Sequence, residues 1–130
     1  YILDLLQKKL LLSTYVAHGR GSGDNYAVAF SNRPGSYQSS LGFFRTGDTY
    51  MGKNGYSLFL DGLEKGINDK ARERAIVVHG ANYADPAVLK GQQRLGRSLG
   101  CPALPPDISK QVIDTIKDGV LLYIYGLNKA

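Results

Sequence analysis

Two residues of this chain are suited to act together as a nucleophile and its base. Cys101 is the only cysteine, and His79 ends an apolar run that begins at Ala75. A thiol attacks as the thiolate, which is scarce near neutral pH, and an imidazole within hydrogen-bond reach can accept the thiol proton. The pair therefore predicts covalent catalysis, with Cys101 as the nucleophile and His79 as the general base.

The neighbours of Cys101 favour a reactive turn. Gly100 has no side chain, so an acyl carbonyl has room to approach the backbone there. Pro102 offers no N–H, so any donors for an oxyanion must come from Cys101, Gly100 or residues upstream. The competing interpretation is that Cys101 is a small buried apolar residue, as many free cysteines are.

The spacing of these residues resembles a known family. The dipeptide His79-Gly80 is followed by Ser98-x-Gly100-Cys101, with the cysteine 22 positions after the histidine. This pattern is similar to the signature of the murein L,D-transpeptidases, which is a histidine, a spacer and Ser/Thr-x-Gly-Cys. The resemblance runs nearly end to end and is nearest to the branch that reads Ser-Leu-Gly-Cys-Pro-Ala.

Two positions depart from the commoner pattern of that family. Leu99 stands where many members carry a histidine, and Pro102-Ala103 stands where many have an apolar residue followed by Asn or Arg. Substrate contacts of the better-known members therefore do not transfer to these positions, whereas the roles of Cys101 and His79 do.

The resemblance implies a fold and a reaction. The fold would be a β sandwich or barrel, and the substrate would be the peptidoglycan stem tetrapeptide. Cys101 would attack the carbonyl of the third residue, release D-alanine and pass the acyl group to an amine acceptor. The Gly80 carbonyl would orient the His79 ring, and N–H groups of Gly100 and Cys101 would hold the oxyanion. No cofactor and no metal is needed.

Further residues around the predicted site are candidates for substrate contact. Ser98 is expected to position the cysteine loop or to donate a hydrogen bond. Arg97, and more weakly Arg45, would bind a carboxylate of the stem peptide, because a guanidinium matches a carboxylate in a two-pronged geometry. Tyr37 and Tyr83 flank the loops expected nearest the cleft.

The sequence is also compatible with different functions. Water in place of the amine would make the protein an L,D-carboxypeptidase or endopeptidase on the same stems. A non-catalytic wall-binding module with a structural cysteine would need none of the three residues His79, Gly100 and Cys101. A thiol redox sensor would need a resolving cysteine, which the chain lacks. The spacing of His18, His79 and Cys101 matches no metal-binding motif, which disfavours zinc.

The elements that must position this site are mainly strands, with a few short helices, so we predict an α+β fold dominated by sheet. The Asn54-Gly55 pair is the strongest hairpin signal. Asp85-Pro86 predicts a short helix to Gln92, and a second helix is expected from Asp107 to Gly119. We expect strands over residues 1–6, 10–17, 41–46, 49–51, 56–60, 75–78 and 120–125, and a short helix from residue 68.

Length and composition predict one domain over residues 1–130. The 16 glycines, 5 prolines and 9 tyrosines fit a strand-rich body with many turns. The net charge of +5 is spread along the chain, which favours an acidic polymer such as cell wall over nucleic acid as a partner. No apolar run is long enough to insert in a membrane. We expect a monomer in the periplasm or cell envelope, its leader segment removed.

Overall fold

The structure is a computed structural model that describes residues 1–127. In that part of the chain seven strands and one α-helix form, with a five-stranded sheet in the order β6-β5-β4-β3-β7 and a separate β1-β2 hairpin. The prediction of a mainly β fold with a few short helices is confirmed. The elements in chain order are β1 (Ile2–Asp4), β2 (Lys9–Leu12), β3 (Gly42–Gly52), β4 (Gly55–Gly62), β5 (Val77–Gly80), β6 (Ala103–Leu104), α1 (Pro106–Ile116) and β7 (Leu121–Ile124).

The long hairpin of β3 and β4 forms the middle of the sheet. It closes where Gly52 pairs with Gly55, and Gly55 has a φ of 82°, which suits glycine in a tight turn. The strands predicted separately over 41–46 and 49–51 form one continuous strand, β3. Its register with β4 shifts between Thr46 and Thr49. A β-bulge therefore absorbs the Gly47-Asp48 pair that the sequence indicated as a turn.

The main core lies between this sheet and α1. Leu58 and Leu60 of β4 and Val78 of β5 are buried together with Val112 and Ile113 of α1. The helix begins with Pro106 at its first position and ends at Ile116, close to the predicted bounds, and its apolar face packs on the sheet as expected. The helix thus supports β5, the strand that carries His79.

Some predicted elements are shorter than expected. The strand predicted over 10–17 ends at Leu12, and Ala17 makes only an isolated bridge to Ala103. Residues 64–75 form a series of turns in place of the short helix predicted from residue 68. The helix after Asp85 is a 3₁₀ helix, Pro86–Lys90, and Asp85 caps it as predicted by accepting a hydrogen bond from Ala87 N at 2.9 Å.

Among residues 1–127, none of the helices has the length and apolar character that a membrane crossing requires.

Candidate active site

Strand β5 delivers His79 to the site in a fixed orientation. The residue is 4% exposed and pairs with Ser57 of β4 on one side and Ala103 of β6 on the other. Its Nδ1 lies 2.9 Å from the carbonyl oxygen of Gly80. A carbonyl oxygen can only accept, so Nδ1 carries the hydrogen and Nε2 of the neutral ring is left to accept a proton.

The cysteine turn, residues 98–101, is held by a hydroxyl. Ser98 Oγ accepts a hydrogen bond from Gly100 N at 3.1 Å and donates one to Cys101 O at 2.6 Å. Gly100 has a φ of 122°, and a Cβ there would lie 2.9 Å from Gln38 O. Glycine is therefore required at this position both for the backbone conformation and for space.

The thiol lies against the beginning of β5. Cys101 Sγ accepts a hydrogen bond from Val77 N at 3.4 Å and donates one to Ala75 O at 3.5 Å. His79 follows Val77 by two positions on the same strand, so the turn that carries Cys101 packs against the strand that carries His79. Within residues 1–127, no hydrogen bond joins the thiol to the imidazole, and their direct contact stays a prediction.

The environment of Cys101 favours the neutral thiol. Burial raises the pKa of this thiol above its ordinary value, while the Val77 N–H and the Arg74 charge act in the opposite direction. A thiol with a raised pKa is mostly protonated near neutral pH. Reaction there consequently requires a base that takes the proton, which is the role predicted for His79.

A cleft of about 480 Å³ opens on the imidazole. His79 and Gly80 line it together with Lys53 and Asn54 of the β3-β4 turn and with Tyr83. A molecule bound in this cleft can therefore contact the His79 imidazole, whereas Cys101 is not among the residues that line it. A second concavity of about 470 Å³, beside Arg33, Lys65 and Lys70, contains neither candidate catalytic residue.

The two predicted tyrosines lie near the site in different ways. Tyr83 lines the cleft, and its pKa is raised first by burial and then by the neighbouring Cys101. Tyr37 lies near the cysteine turn through its main chain, and Gly19 packs between the two. A Cβ placed on Gly19 would be 2.5 Å from Tyr37 O and 2.9 Å from Gly100 Cα. The Tyr37 ring stacks under Arg20, with 4.5 Å between the guanidinium carbon and the ring centroid.

The two arginines predicted to bind a substrate carboxylate contact other groups of the protein. Arg97 Nη1 lies 2.6 Å from Asp24 Oδ1 and also bonds the carbonyl of Gly23, so it holds the loop after His18. Its contact with a substrate carboxylate stays a prediction. Arg45 lies on β3, two strands away from β5, and its guanidinium is near Gly119, so the fold does not bring it to the cysteine turn.

The second histidine and two carboxylates near the sheet have structural roles. His18 is a turn histidine, because its Nε2 lies 2.9 Å from Gly23 O. Asp61 forms an ion pair with Arg72, with 2.6 Å between Oδ1 and Nε. Glu64 Oε1 accepts a hydrogen bond from Phe43 N at 2.8 Å. The last two contacts tie the turns of residues 64–75 to strands β4 and β3.

Arg74 is a neighbour of the thiol that the sequence interpretation missed. Its charge acts on Cys101, and its Nη2 would be 3.4 Å from a Cβ placed on Gly100. The only sequence signal is a basic residue directly before the apolar run that leads to His79. The chain segment that meets Arg74, residues 31–40, is distant in sequence, so no local pattern indicates the contact.

A family model described as the L,D-transpeptidase catalytic domain matches residues 1–125. The matched range contains every strand, the helix α1 and both candidate catalytic residues, His79 and Cys101. No curated protein matches the chain.

Proposed function

The chain belongs to the L,D-transpeptidase catalytic-domain family, and on this premise we propose that it transfers acyl groups between peptidoglycan stem peptides through a thioester at Cys101. The observation that carries the proposal is the orientation of His79. Its Nδ1–H is fixed on Gly80 O, which leaves Nε2 as a base on the strand against which the Cys101 thiol lies. The α+β fold supports the same assignment.

The first half of the reaction makes the thioester. His79 Nε2 accepts the proton of Cys101 as Sγ attacks the carbonyl carbon of the third stem residue. The S–C bond forms, and the C–N bond to the terminal D-alanine then breaks. The imidazolium returns its proton to the departing amine, so D-alanine leaves with its amine neutral at that step.

The oxyanion of this step needs a donor at the cysteine turn. Gly100 N–H already donates to Ser98 Oγ, so it is not free in the resting protein. Among residues 1–127, the Cys101 N–H donates to no acceptor. We assign the Cys101 N–H as the donor that this turn offers to the developing negative charge, with Ser98 holding the turn in place.

The second half of the reaction passes the acyl group on. An amine of a second stem peptide attacks the thioester carbonyl carbon as it gives a proton to His79 Nε2. The new C–N bond forms, the C–S bond breaks, and the Cys101 thiolate takes that proton back from the imidazolium. The cleft of about 480 Å³ beside His79 gives such an acceptor access to the base. Because peptidoglycan lies outside the cytoplasmic membrane, the proposal includes action in the cell envelope.

Incubation with purified tetrapeptide muropeptides tests the proposed function. We expect release of D-alanine and a product mass equal to two stems joined between their diamino acids. The Cys101→Ala variant, matched for folding by thermal melts, should give neither. Shortened tripeptides alone, at every acceptor concentration, would show a carboxypeptidase instead, and no D-alanine release from the folded wild type would contradict the proposal.

A further inference from the structure

Arg74 presents its guanidinium to neutral oxygens only. Nη1 donates to Ser31 O at 2.8 Å and to Ser40 Oγ at 2.7 Å. Nη2 donates to Gln38 O at 2.8 Å and to Ser36 Oγ at 3.2 Å. A guanidinium has five N–H donors, so these bonds occupy both Nη atoms and leave little capacity for a substrate carboxylate.

The charge of Arg74 has no carboxylate partner in the described part of the chain. The ion pairs found over residues 1–127 join Asp24, Asp61 and Asp114 to other basic residues. Burial lowers the pKa of Arg74, and nearby Cys101 acts to raise it. An arginine stays protonated even when partly buried, so a persistent positive charge faces this region without a counter-ion.

The same guanidinium lies at the cysteine turn. A Cβ on Gly100 would be 3.4 Å from Arg74 Nη2 and 2.9 Å from Gln38 O, which is itself an acceptor for Nη2. Arg74 and Gln38 thus form one wall of the turn that carries Cys101. Tyr83, which lines the cleft, is a further titratable group near the thiol, because Cys101 acts on its pKa. His79 lies on β5, the strand against which the thiol packs.

We propose that Arg74 is a positioning residue that supplies the positive charge favouring the thiolate of Cys101. Its four hydrogen bonds fix that charge beside the turn and tie residues 31–40 to it. The proposal rests on the proposed function in taking Cys101 as the nucleophile. A nearby positive charge favours the ionised form of an acid, and it does so more strongly where water is partly excluded.

Alkylation of Cys101 by iodoacetamide, followed across pH on the full chain, tests this role. We expect Arg74→Gln to shift the dependence of the alkylation rate to higher pH, so that the rate at pH 7 falls about tenfold. Arg74→Lys keeps the charge and loses the planar fork, so its profile should stay close to that of the wild type. Arg72→Gln is the matched control, because Arg72 is paired with Asp61, and it should leave the profile unchanged.

Each result decides the proposal. An Arg74→Gln profile equal to the wild-type profile would overturn it. A folded Arg74→Lys variant whose profile moves to higher pH, with an alkylation rate about tenfold lower at pH 7, would overturn it too. The lysine variant keeps the test decisive if the glutamine variant does not fold. Alkylation needs no muropeptide, so failure of the proposed transpeptidation would appear as absent D-alanine release while the alkylation shift persists.

Discussion

At the scale of single residues, the site depends on how two backbone carbonyls are used. Gly80 O accepts from His79 Nδ1, and Ala75 O accepts from the Cys101 thiol. The first contact sets the tautomer of the His79 imidazole, whereas the second holds the Cys101 thiol in its protonated form. In the proposed reaction, the thiol proton leaves Ala75 O and moves to His79 Nε2.

The role of His79 predicts the effect of replacing it. His79→Gln removes the proton acceptor but keeps a side chain of similar size, so turnover on muropeptides should fall about 100-fold to 10,000-fold. His18→Gln serves as the control, because His18 is the other histidine and bonds only a turn carbonyl. Rates of D-alanine release measure both. A His79→Gln variant with more than a tenth of wild-type turnover would argue against general-base catalysis.

Sequence patterns are most informative for residues that a local motif marks and least informative for contacts between distant segments. The spacing of His79 and Cys101 is informative because a motif carries it. Arg97 is a natural candidate for a substrate contact because it is four positions from Cys101, yet its side chain reaches Asp24. Arg74 is further away in sequence but lies at the turn, because β5 and residues 31–40 bring it there.

At the scale of elements, the segment between β4 and β5 sets where His79 lies. Asn68 is fully buried in it, and its Nδ2 donates to Leu41 O and to Phe43 O, each at 2.9 Å. Its Oδ1 accepts from Glu64 N at 2.9 Å. One side chain therefore fastens the turns of residues 64–75 to the beginning of β3.

Removing the Asn68 amide should destabilise the fold. Asn68→Ala removes the hydrogen bonds to Leu41 O and Glu64 N, whereas Phe43 O keeps the one it accepts from Leu63 N at 3.0 Å. We expect a loss of about 2 kcal/mol in the free energy of unfolding. Asn25→Ala is the matched control at an exposed position and should change stability by less than about 0.5 kcal/mol. Urea denaturation measures both. Equal unfolding midpoints for the two variants would contradict this account of the segment.

The element predictions are accurate where a local signal is strong. Asn54-Gly55 marks the β3-β4 hairpin, and the apolar spacing of Val112 and Ile113 marks α1. Residues 64–75 are harder, because a buried asparagine looks in the sequence like an exposed one. Their conformation depends on carbonyls of residues 41 and 43, which become neighbours only in the folded chain.

At the scale of the whole molecule, the parallel pairing of β5 and β6 creates the site. It aligns His79 with Ala103, two residues after Cys101, and α1 packs against both strands through the main core. A Cβ on Gly80 would lie 2.5 Å from Ser109 Oγ of α1, so the helix packs closely at the residue that orients the base. The sequence predicts a strand that leads to His79 and the helix α1, but it does not predict the two-residue strand β6 or the order in which the strands pair.

Acylation of Cys101 by a stem peptide would be visible in the intact mass of the folded chain. Under single-turnover conditions with a tetrapeptide muropeptide, we expect an added mass equal to the substrate minus D-alanine. Peptide mapping should place that mass on Cys101, and Cys101→Ala should show none. A wild-type protein that releases D-alanine without an adduct on Cys101, or with an adduct on another residue, would contradict the account.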